Sequence, residues 1–116
     1  MNFNYFYKDS AELYSFYRIP KILLTDNAYA DLSVEAKLLY GLVMDRMGMS
    51  LKNKWLDDDN RVYIIYPISE IQEELNVSRK KAMEYLSELE TYGLVAKKSR
   101  GLGLPSLLYP LNFVKN

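Results

Sequence analysis

Arg79, Lys80 and Lys81 directly follow Ser78, at the start of a stretch with helical period. Ser78 has the side chain of a helix N-cap, which puts the three cations in the first helical turn. That end of a helix carries the partial positive charge of the macrodipole, so acids are favoured there and cations are not. On its own an Arg-Lys-Lys run reads as a solvated helix face, but stability alone would not choose this position for it. The placement implies a polyanion nearby, and the Ser78 hydroxyl can cap the helix and also donate to a phosphate. A second basic cluster, Lys97, Lys98 and Arg100, stands beside Gly101-Leu102-Gly103. Lys52, Asn53 and Lys54 can touch phosphate too, although a surface loop is the simpler reading of them.

Other chemistries are poorly served. The sequence has no cysteine and no histidine. A zinc site would need oxygen ligands alone, and the usual acyl-transfer triads lose their base. Paired carboxylates can catalyse by themselves, but the acids here are scattered along solvated helix faces. The exception, Asp57-Asp58-Asp59, reads as a solvated loop ahead of a strand. Gly101-Leu102-Gly103 lacks the third glycine and the following helix of a dinucleotide-binding turn. No enzyme activity, cofactor or metal is expected.

The 116 residues suit one domain, and a hydrophobic fraction of 49% is ample for a core. No apolar run reaches the roughly 18 residues of a membrane span. Met1–Tyr5 lacks the basic-then-apolar pattern of a signal peptide. A cytoplasmic protein without membrane association is the expectation. With 15 basic and 15 acidic residues the net charge is zero, unlike the basic balance usual among nucleic-acid binders. Distribution matters more than the total. Between Asn76 and Pro105 stand six cations against three acids, Glu84, Glu88 and Glu90, which fall in later helical turns.

The elements that position these residues follow from periodicity and punctuation. Residues 3 to 17 hold seven aromatics, Phe3, Tyr5, Phe6, Tyr7, Tyr14, Phe16 and Tyr17, a segment that wants burial on its own domain or on a second copy. Arg18–Leu24 reads as extended because Pro20 disfavours helix before it. Ser33 caps a helix carrying Ala36, Leu39, Tyr40, Val43, Met44 and Met47 on one face, with Gly48 as its end. Residues 49–60 read as a polar loop and Arg61–Tyr66 as a strand closed by Pro67. Ser69 and Gln72 match a capping box for a helix from Glu70 to Leu75. Asn76-Val77 makes the turn, and Ser78 opens a helix to about Thr91 with Ala82, Leu86 and Leu89 inward. Gly93 stops it. Leu94–Lys98 and Leu107–Tyr109 then pair as strands around residues 101–105.

This order is a winged helix-turn-helix, α+β and mainly α, spanning residues 33–116 behind an N-terminal segment, residues 1–32, that is the candidate dimerisation element. The helix from Ser78 offers its outer face to the major groove of double-stranded DNA, and the hairpin reaches the backbone or the minor groove. Arg79 and Lys80 project most, with Met83, Glu84 and Ser87 one turn further along. Met83 can touch a thymine methyl and Glu84 can accept from a cytosine amine.

The stretch from Phe16 to Val95 resembles the N-terminal domain of the replication initiator A family, plasmid initiators of Gram-positive bacteria. Phe16-Tyr17-Arg18-Ile19-Pro20-Lys21, Leu32–Tyr40 and the surroundings of Trp55 carry the likeness most specifically. The resemblance implies a DnaD-like winged helix that binds repeated origin sequences, commonly as a homodimer, with recognition by the helix from Ser78. It also implies a longer protein whose C-terminal part engages host replication proteins. A winged-helix transcription repressor, and a winged helix used for protein contacts in a primosome-like assembly, are the other readings.

Overall fold

The computed structural model describes residues 5–7 and 14–112, and the chain joins the body of the domain at Ile19. The Ile19 side chain lies where a Cβ on residue 41 would stand, with the Arg18 carbonyl oxygen 3.1 Å from the same point. Gly41 is therefore the residue that lets this segment cross the first long helix. The aromatics before it are largely exposed: Tyr5, Phe6, Tyr7, Tyr14, Phe16 and Tyr17 each keep more than half of their surface open, while Phe16 lines a depression with Gly41 and Met44 of that helix. Phe3 lies outside the described residues.

The extended reading of Arg18–Leu24 needs correction at its end. A short helix α1, Ile22–Thr25, begins just after Pro20. Proline excludes helix before itself but suits a helix start, since its missing N–H is one that no helical carbonyl would have met. Here the Pro20 carbonyl accepts from Leu23 N–H at 3.1 Å, and Leu23 is fully buried. A 3-10 turn, Asn27–Tyr29, follows, with the Asp26 side chain accepting from Ala28 N–H.

Helix α2 spans Val34–Asn53. Ser33 caps it as expected, its hydroxyl accepting from Ala36 N–H at 3.1 Å. The expected stop at Gly48 is wrong, and the loop expected over residues 49–60 begins only after Asn53. Gly48 is exposed with open space around it, while Ser50 beyond it is buried and donates to the Arg46 carbonyl. The helix runs on to Asn53, and Lys54 takes a left-handed conformation at φ 57° while Trp55 N–H bonds back to the Ser50 carbonyl. The acidic run is not a free loop either. Asp57 accepts from the N–H groups of Asp59 and Arg61 and from the Arg61 guanidinium, folding a small hairpin bridged by Leu56 and Val62.

Strand β1 is shorter than Arg61–Tyr66, comprising Ile64–Ile65. Helix α3 spans Ile68–Leu75, starting two residues earlier than the capping box implied. Its cap is Pro67, and no side chain bonds at that end. Ser69 lies inside the helix and is exposed, since Pro67 already sets the extended-to-helical switch. Helix α4 spans Arg79–Thr91, β2 Val95–Lys98 and β3 Leu107–Pro110. The three strands form an antiparallel sheet in the order β1-β3-β2, with Ile64 opposite Leu108 and Lys97 opposite Leu108 on the other side.

The core gathers Leu39, Tyr40 and Val43 of α2, Ile71 of α3, Ala82, Leu86 and Leu89 of α4, and Ile64, Val95 and Leu108 of the sheet. Met44 and Met47 pack at its edge. Among the described residues no helix is long and apolar enough to cross a membrane.

Candidate nucleic-acid interface

Asn76 ends α3 in the left-handed region at φ 55°, and Val77 N–H returns to the Gln72 carbonyl at 3.1 Å. This tight exit turns the chain so that Ser78, extended at ψ 162°, begins α4 at once. Its hydroxyl accepts from Lys81 N–H at 3.2 Å and its carbonyl from Ala82 N–H at 2.9 Å. The first turn of α4 contains no acid. Gly93 closes the helix at φ 73°, with Leu94 N–H bonded to the Leu89 carbonyl.

Ala82, Tyr85, Leu86 and Leu89 point inward, which fixes what points outward. Arg79, Lys80, Met83, Glu84 and Ser87 line one shallow, open depression. All five are exposed, Met83 by half. Cationic, apolar, acceptor and hydroxyl groups thus stand side by side on a convex helix, the mixture that reads base edges and phosphates. Lys81 lies at the margin, its Nζ 3.4 Å from Glu84 Oε2. That contact also occupies part of Glu84, one of the two residues assigned to base edges.

The hairpin is joined to this face. Lys97 shares a side of the ribbon with buried Val95 and lines a groove of about 290 Å³ together with Arg79, Ser69, Pro105 and Ser106. Lys98, one residue on and opposite Leu107, is exposed near Arg61 and Tyr109. Arg100 is more than a free cation: its Nε donates to the Pro105 carbonyl at 2.8 Å and closes the base of the tip. Lys52 and Asn53 occupy the last turn of α2 and Lys54 the left-handed residue after it, all exposed. The opposite end of α2 meets α4, so these three stand apart from the face just described. Among the described residues, no three acidic side chains converge as a metal site requires.

Two sets of contacts that the sequence did not reveal hold this face in place. Arg46 reaches from α2 to the Ile65 carbonyl (3.1 Å), Glu70 Oε2 (2.9 Å) and Glu74 Oε1 (3.0 Å), with its guanidinium 3.9 Å over the Tyr66 ring. Tyr66 donates in turn to Glu74. Burial, and then that bond and the Glu74 charge, push the Tyr66 phenol far above its ordinary range. The second set joins α4 to the start of α2, through Glu88 to Ser33 and through the Tyr85 hydroxyl to Glu35 at 3.2 Å. With α3 and α4 fixed this way and a hairpin alongside, the fold is a winged helix-turn-helix.

The chain belongs to the family described as replication initiator protein A (RepA) N-terminus, whose model matches residues 15–116. A "41 kDa protein" of Lactobacillus helveticus is 34% identical over 92 residues, which are 79% of this chain and 26% of that protein. The chain thus spans about a quarter of that relative. Three solved structures are similar throughout. One described as the N-terminal domain of a DNA-binding protein has a TM-score of 0.79 at 32% identity, covering 99% of this chain and 88% of that one. A Rep–DNA complex gives 0.79 at 33% identity, over 97% and 87%. An MDR initiator gives 0.77 at 33%, over 97% and 89%.

Proposed function

We propose that this chain is the DNA-recognition domain of a plasmid replication initiator and that it binds repeated origin sequences in double-stranded DNA. The observation that carries the reading is the placement of Arg79 and Lys80 in the acid-free first turn of α4, on one open face with Met83, Glu84 and Ser87. Lys97 extends that face onto the hairpin through the groove it shares with Arg79. Similarity to a Rep–DNA complex over 97% of the chain supports the same reading. In it, α4 enters the major groove, Ser78 and Lys81 meet phosphate, and Lys97, Lys98 and Arg100 meet the backbone beside it. Lys52, Asn53 and Lys54 are assigned to outlying phosphates only.

Residues 1–32 serve in this proposal as the homodimer element. Tyr5, Phe6, Tyr14, Phe16 and Tyr17, each more than half exposed, supply apolar surface for it. In this proposal a further C-terminal part carries the contacts to host replication proteins, and the assembly works in the cytoplasm on plasmid DNA.

Footprinting on DNA that encodes and surrounds the protein's own gene locates the site, and fluorescence anisotropy on the protected duplex measures affinity against salt. Each phosphate contact lowers log affinity by about 0.9 per unit of log salt, so six to eight contacts per dimer give a slope of about −5 to −7. Zero net charge together with the exposed aromatics favours a second reading, a winged helix used for protein contacts alone. Absence of duplex binding, or a flat salt dependence, would establish that reading instead.

A further inference from the structure

The tip of the hairpin is apolar and stands free. Leu102 is fully exposed and Leu104 more than half exposed. Leu102 sits between Gly101 and Gly103, whose φ angles are 101° and 80°. Apart from the adjoining residues of the chain, no atom lies within 4 Å of where a Cβ would stand on either glycine. They are therefore needed for backbone shape and slenderness and not for packing. The base of the same loop is tied by the Arg100–Pro105 hydrogen bond. The result is a narrow apolar point held out on a fixed base.

Its surroundings say what it meets. From Tyr92 to Asn112 the sequence carries Lys97, Lys98 and Arg100 and no acid. Charge complementarity thus directs the tip to a polyanion, and Lys97 joins it to the face of α4. Leu102 lies four residue steps beyond Lys98, the last paired residue of β2. Four extended steps reach about 13 Å, enough to step over the phosphate strand that borders a major groove occupied by α4.

We infer that Leu102 is a wedge that enters the minor groove of the bound duplex and unstacks one base step, bending the DNA. This rests on the DNA-binding reading above. Burying one leucine and opening one base step are of similar magnitude, so the wedge acts where the step opens most readily. Pyrimidine–purine steps, TA and CA/TG, are the most easily kinked. Leu102 therefore adds sequence preference at positions that α4 does not touch.

The test uses the duplex protected in footprinting, with 2-aminopurine placed at successive steps, and the same duplex in circularly permuted fragments for gel-shift bending. The wild-type chain should raise fluorescence at a single TA or CA/TG step and bend the DNA by about 20–90°. Leu102→Ala should abolish both signals while affinity falls about tenfold or less, because the phosphate contacts remain. Leu102→Phe should keep both. Leu102 packs against nothing, so neither variant should unfold. A wild type that binds without unstacking any step, or a Leu102→Ala variant that unstacks and bends as the wild type does, overturns the wedge and leaves DNA binding intact. A wild type that binds no duplex removes both. A Leu102→Ala variant that changes only the sedimentation of the DNA-free chain overturns the wedge and assigns Leu102 to contact between copies.

Discussion

Glu88, near the end of α4, accepts from both the backbone N–H (2.9 Å) and the hydroxyl (2.7 Å) of Ser33, the residue that caps α2. In a capping box the acid sits three residues after the cap and returns to its N–H. Here an acid 55 residues away fills that place. One carboxylate thereby completes the start of one helix and holds another against it.

Glu88→Ala is expected to lower stability by about 1–3 kcal/mol, since it strips a charged acceptor from two donors. Ser33→Ala should cost about 0.5–2 kcal/mol through the lost cap. The double variant should lose less than the sum, because the same contact is removed twice. Urea denaturation of all four proteins measures this, and strict additivity would contradict the bond.

Arg46 connects α2, β1 and α3 at once, and its side chain is only 21% exposed. Arg46→Met should lower stability by about 1–3 kcal/mol, below the full loss for a buried pair because Glu70 and Glu74 remain partly in water. Arg46→Lys should recover little. An ammonium cannot meet the Ile65 carbonyl and two carboxylates while lying flat over Tyr66. Thermal unfolding of the two variants should therefore group them together, well below the wild type.

Helix α4 and its hairpin were legible because their signals are local. Ser78 caps, Gly93 terminates, and the 3.6-residue period divides Ala82, Leu86 and Leu89 from Arg79, Lys80 and Met83. The Arg46 cluster and the Ser33–Glu88 bond were not legible. They join residues 24 and 55 apart, and nothing near Arg46 or Glu88 in the sequence names a partner. The end of α2 was misplaced for a related reason. Gly48 carries a stop signal, but the buried Ser50 and the left-handed Lys54 decide where the helix ends. The joint groove of Lys97 and Arg79 also needed the register, since only pairing with Leu108 settles which strand residue shares the inner side.

Tyr40 gives a prediction for alkaline conditions. Burial, and then the neighbouring Tyr29, push its phenol from 10.0 up to about 12. The fold favours the neutral form, so this stabilisation is complete below about pH 10 and is lost as pH rises through about 12. Tyr40→Phe removes the bond from its hydroxyl to the Leu111 carbonyl at 3.2 Å. It should cost about 0.5–1.5 kcal/mol at neutral pH and make the decline between pH 10 and 12 shallower. Some decline should persist, since Tyr66 is shifted in the same direction. Denaturant titrations across this range give the comparison, and an unchanged slope would remove Tyr40 as a cause.

Lys80 separates stability from function most directly. It is exposed in the first turn of α4, against the helix dipole. Lys80→Glu should therefore stabilise the free domain by about 0.3–1 kcal/mol. The same change should weaken duplex binding by at least about 1–3 kcal/mol, because it sets an acid against the DNA. Lys81 is a poorer choice, since altering it also breaks its contact with Glu84. Melting temperature and anisotropy on the footprinted duplex should move in opposite senses. If Lys80→Glu stabilises the chain and leaves affinity unchanged, the first turn of α4 does not face the nucleic acid.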